Sequence, residues 1–136
     1  MNGHLAIHKL LSETAGYNAL VGGTEALAKI FYDEADATTA LDFCIVKLED
    51  IDPTDNKDGV SSLDFDFVFV THFSSTAKKC AALALAGRTA CDRQSGTKNG
   101  VVVTSVQFQS QRSGTESLVD KKVHTIEQVY KVLTQQ

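Results

Sequence analysis

Ser62-Leu-Asp-Phe-Asp-Phe-Val-Phe-Val-Thr-His-Phe73 runs straight into the alanine-rich segment 74–93, and this junction decides the fold. Leu63, Phe65, Phe67, Phe69 and Phe73 fall on one side of a two-residue period; Ser62, Asp64, Asp66 and His72 fall on the other. That is the pattern of a strand with one buried face. It predicts phenylalanines toward the core and Asp64, Asp66 and His72 on an exposed sheet face. The period then changes. From Thr76 to Cys91, Ala77, Cys80, Ala81, Leu83 and Ala84 recur at helical spacing, and Ser74, Ser75 or Thr76 can cap the first turn.

The chain has 136 residues, of which 43% are hydrophobic, enough for one domain with a modest core. Thirteen basic and 17 acidic residues give a net charge of −4. That balance argues against a protein that grips nucleic acid through a dense Lys/Arg face. The start Met1-Asn-Gly-His is no secretion signal, and no stretch approaches the ~18 apolar residues of a membrane span, so a soluble chain made inside the cell is expected. Three cysteines exclude a complete disulfide framework. Cys80 and Cys91 would lie roughly 16 Å apart on one helix, and Cys44 sits in an apolar run, so all three read as packing residues.

Leu5, Ile7, Leu10 and Leu11 predict an amphipathic helix over 3–14, ended by a turn-like segment closing on Gly22-Gly23. A further helical turn at 24–29, a short strand at Ile30–Tyr32, a loop over 33–39 and a strand over 41–49 follow. Pro53, Asn56 and Asp58-Gly59 mark 50–61 as the connection of a hairpin into the phenylalanine strand. Beyond the second helix, 93–100 reads as loop, 101–110 and 122–133 as strands, and 111–120 as a polar connection. Helices and strands in this order predict an α+β domain: a mostly antiparallel sheet of four to five strands with two helices packed on one face. The other face must meet water or another subunit, and Thr104, Gln107, Gln109, Glu127 and Lys131 are further candidates for exposed positions.

Leu10-Leu11, Asn18-Ala-Leu-Val-Gly22, Lys29-Ile30-Phe31, the aromatic and acidic strand, the Ser75-Thr-Ala-Lys-Lys-Cys-Ala-Ala-Leu-Ala helix start and the closing Val123–Val132 strand together resemble the tail-completion or tail-terminator family of long-tailed bacteriophages and prophages. The resemblance covers nearly the whole chain in element order and implies one terminator-like domain over 1–136. It also implies a structural virion protein that closes into a ring with its own copies, typically a hexamer. Such a ring caps the head-proximal end of the tail, stops polymerisation of the tail tube protein, and docks a neck or head-completion protein. Assembly would take place in the bacterial cytoplasm, and DNA would pass through the ring without specific binding, helped by the acidic balance. A head-to-tail ring needs two complementary surfaces per subunit. The polar segments 50–61, 93–100 and 111–120 supply candidates for the subunit or tube interface: Asp55, Asn56, Lys57, Asp58, Lys98, Asn99, Gln111, Arg112 and Glu116. A neck or head-completion protein of the same virion is the near alternative.

The distant alternative is a small α+β enzyme or ligand-binding domain in which Asp64, Asp66 and His72 converge with another polar group. Asp64 and Asp66 lie ~7 Å apart on one strand face, a separation paired carboxylates can use, but a solvated or interface face explains them as well. His4 and His8 have the i, i+4 spacing of a metal pair without a third ligand in step. Residues 52–59 resemble a calcium loop, but aligning Gly59 puts Thr54 at the first ligand position and Phe65 at the last. His72 and His124 sit among strand residues and read as structural. No enzyme activity, metal or cofactor is expected.

Overall fold

The computed structural model describes the backbone of residues 2–25, 28–34, 41–56, 59–118 and 121–135, with side chains except for 49–64, 117, 118 and 121. Its elements run α1 (Gly3–Glu13), α2 (Ala15–Val21), β1 (Ile30–Tyr32), β2 (Phe43–Asn56), β3 (Gly59–Ser74), α3 (Ala77–Cys91), β4 (Gly96–Lys98), β5 (Val101–Leu118) and β6 (Lys121–Gln135). The sheet order is β1-β2-β3-β6-β5-β4. Every pairing is antiparallel except that of β1 with β2, so the sheet is mixed. The α+β class stands, with six strands and three helices in place of the four to five and two expected.

The two additions have local causes. Tyr17 and Val21 stand one turn apart and are both buried, which turns the segment before Gly22-Gly23 into α2. Asn99 (φ 54°) and Gly100 (φ 80°) form a two-residue turn with both residues left-handed, and Lys98 pairs with Val101 across it. Such turns match the twist of a hairpin, and Asn-Gly is their preferred sequence. The polar connections also shrink. Residues 50–56 and 59–61 continue β2 and β3, and 111–118 continue β5, so two long ladders replace most of two expected loops.

The larger departure is which face of β3 takes the helices. Asp66, Val68, Val70, His72 and Ser74 are buried, while Phe65, Phe67, Phe69 and Phe73 are partly exposed. Asp66 and His72, expected on an exposed face, therefore lie under the helices. Asp66 does so because its Oδ2 accepts the Gly3 N–H at 2.6 Å, placing a carboxylate on the positive end of α1. His72 does so because every polar atom of its ring has a partner. Its Nε2–H donates to Gln128 Oε1 at 2.7 Å, and its Nδ1 accepts the Tyr17 hydroxyl at 2.8 Å. Gln128 in turn accepts from Tyr130 Oη at 2.9 Å and donates to Ala84 O at 2.9 Å and Gln111 Oε1 at 3.0 Å. A buried network satisfied this fully escapes the desolvation cost of isolated polar groups.

Glycine makes both contacts possible. A Cβ at Gly3 would fall 2.8 Å from Asp66 Oδ2, and one at Gly87 would fall 2.7 Å from His72 Cε1. Around these posts close Ile7, Leu11, Tyr17, Leu83, Val68, Val106 and Tyr130, all at most 1% exposed. At Gly87→Ala the overpacking against the buried His72 ring, ~2–3 kcal/mol at the upper part of the usual range, outweighs the ~1 kcal/mol that alanine gains in helix propensity, for a net loss of ~1–2 kcal/mol. Urea denaturation measures this, and unchanged or raised stability would mean that α3 does not rest on His72.

Burial lowers the His72 imidazole from its ordinary 6.5 to about 4. Between those values the unfolded chain binds a proton that the folded chain does not, so stability falls as pH drops from 6.5 and levels off below 4, by ~3 kcal/mol in all. His72→Gln should remove that part of the slope in urea midpoints taken from pH 7 to 5, and parallel profiles for the two proteins would contradict the assignment.

Candidate assembly surface

With all three helices on one side, the opposite face of the sheet carries the phenylalanines. Phe65, Phe67 and Phe69 stand opposite Leu133, Lys131 and Val129 of β6. Phe73 stacks on Phe43 with ring centroids 4.7 Å apart, and Phe31 meets Phe43 edge-on at 6.1 Å. Lys131 Nζ lies 3.8 Å over the Phe65 ring. No described helix or loop covers this face, on which Phe65, Phe67, Phe69 and Phe73 are half-buried. A contiguous apolar surface of this kind marks an interaction site far better than scattered exposed leucines do. Glu127 and Lys131 also belong to it, as expected of β6.

The two long ladders project beyond the helix-covered body at opposite ends. The β2–β3 ladder extends past Leu63, where β6 stops at Gln135, and the β5–β6 ladder extends past Ser74, where β3 stops opposite His124. Asp55 and Asn56 lie in the first extension, paired through their backbones with Val60 and Gly59. Lys57 and Asp58 fall outside the described residues, as does the Asp64 side chain. Glu116 is exposed in the second extension, whereas Gln111 and Arg112 are exposed on β5 within the body of the sheet; Gln111 bonds Gln128, and Arg112 Nη2 sits 3.3 Å from Glu127 Oε1. Lys98 points inward and pairs with Glu13, tying β4 to α1, while Asn99 forms the exposed β4–β5 turn. The residues expected at an interface are therefore spread over two ends and one edge. The phenylalanine face joins them as a surface the alternation had assigned to the core.

Among the described residues no group of three or more His, Cys, Asp or Glu side chains gathers as a metal ion would require. His8 donates from Nε2 to Ile30 O at 2.9 Å and stacks on Tyr32, with His4 edge-on to the same ring, so this pair seats β1 on α1. Cys80, beside a cavity lined by Ala77, Thr115 and His124, directs its thiol at the carbonyls of His72 and His124. Burial pushes that thiol up to about 11 and Cys44 up to about 12, and raises Cys91 well above the ordinary thiol value, the opposite of what a nucleophile needs.

No protein-family model matches the chain, and no curated protein does. Among solved structures, a chain from the virion of a native gene transfer agent (GTA) particle superposes with a TM-score of 0.76. The match spans 98% of this chain and 94% of that chain at 14% identity. The two share a fold. At that identity the likeness speaks to architecture alone.

Replacing Phe67 by Gln, on the open face, should cost about 1 kcal/mol or less, whereas Val68→Asn, one residue along and fully buried, should cost more than about 3. Thermal or urea unfolding of the pair tests the face assignment, and a reversed order would refute it.

Proposed function

We propose that this chain is a structural virion protein of a phage or phage-like particle and acts as a ring-forming terminator at the head-proximal end of the tail tube. The observation that carries the proposal is the uncovered sheet face bearing Phe65, Phe67, Phe69 and Phe73, which a free subunit would have no reason to display. Likeness in fold to a GTA virion chain supports a place in a virion, and the sequence resemblance to tail-completion proteins supports the terminator role. Copies of itself, the tail tube protein and a neck or head-completion protein are the proposed partners, with DNA passing through the ring.

Negative-stain electron microscopy of the purified chain, alone and mixed with its tail tube protein, tests this reading. Rings that cap tubes and limit their length are expected. Tubes of unchanged length with no added density at either end would refute the terminator role, and a ring bound to isolated heads in place of tubes would assign the chain to the neck.

A further inference from the structure

We infer that neighbouring copies join edge to edge, the acidic free edge of β2 in one copy adding to the arginine-flanked free edge of β5 in the next. The inference rests on the self-assembly reading above and names the surfaces it uses.

Both edges of the sheet are closed by three-residue strands that cover only a fraction of their neighbours. β1 pairs with Cys44–Val46, and no described strand pairs with the outer edge of β2 from Lys47 to Asn56. β4 pairs with Val101–Val103. Past it, Arg93 N–H donates to Val106 O, and Phe108 N–H donates to Asp92 Oδ1 at 3.1 Å. From Gln109 to Leu118 no described strand pairs with the outer edge of β5. Two bare edges of equal length thus stand on opposite sides of one sheet. Long bare edges are templates for strand addition, and proteins that stay monomeric usually blunt them.

Direction and charge fit the same partner. β2 and β5 run in opposite senses within the sheet and their bare stretches lie toward opposite ends of it, so a neighbour in the same orientation, shifted along the strand direction, brings those stretches together antiparallel, with the strands inclined to the ring axis. The contact is heterologous, as a closed ring requires. Residues 47–66 carry seven acidic and two basic residues, whereas 67–136 carry four acidic and nine basic. A groove along β5 is lined by Arg88, Asp92, Arg93, Gln107 and Gln109, with Arg112 exposed farther on. Glu49, Asp50, Asp52 and Asp55 occur within the β2 stretch that would lie against it. Complementary charge of this kind sets register and partner choice.

The test uses full-length chains in light scattering and sedimentation. Arg93→Glu/Arg112→Glu and Asp50→Lys/Asp52→Lys should each weaken self-association by about ten-fold or more, with circular dichroism unchanged. An equimolar mixture of the two should recover assembly, because each then offers the other a complementary edge. Wild-type-like assembly by either variant alone, or no recovery on mixing, would overturn the edge pairing while wild-type rings left the terminator reading standing. A wild type that stays monomeric at every concentration and on tail tubes would overturn both.

Discussion

The structure depends on a close approach between α3 and the sheet, in which Gly87 lies against His72 and Gln128. Those two side chains, with Tyr17, Tyr130 and the Ala84 carbonyl, form a satisfied polar cluster at the centre of the helix-covered layer. A side chain larger than hydrogen at position 87 would force the helix off its seat. Asp66 repeats the device at the other end of β3, where it receives the first N–H of α1 over Gly3. Together these contacts fix which face of the sheet the helices cover, and hence which face is left for other molecules.

The rest of the architecture follows from that choice. With the even-numbered positions of β3 committed to the helices, the phenylalanines on odd-numbered positions turn outward and join Phe31, Phe43, Val129 and Leu133 in one apolar surface. A sheet uncovered on one side needs water-compatible side chains or a partner. Here the side chains are aromatic, and that is why the proposed function is assembly. In the proposed assembly the edges of β2 and β5 would add a second kind of contact at right angles to the first.

Much of the fold was legible in the sequence. The α3 helix, the antiparallel pairing of β2 with β3 that brings Asn56 opposite Gly59, and β6 with Glu127 and Lys131 turned outward all follow from periodicity and turn residues. Asn99-Gly100 carried the signal for the β4–β5 turn, and Tyr17 with Val21 carried the signal for α2, although a segment rich in glycine and polar residues hid both. The face of β3 could not be read from alternation. Phenylalanine offers more apolar area to bury than valine, and only the partners of Asp66 and His72, which come from α1, α2 and β6, make their side the buried one. The extensions of β2 and β5 were obscured for a related reason: their polar residues suit a loop as well as a ladder whose outer side is wet or covered by a neighbour.

The most direct test of the central claim, that the phenylalanine face is a contact surface, is maleimide labelling of Phe67→Cys. The three native cysteines are buried and their thiols held protonated, so they contribute little background. The account predicts rapid labelling of the isolated subunit and strong protection once it is assembled into particles. Equal labelling in both states, or protection already complete in the isolated subunit, would contradict it.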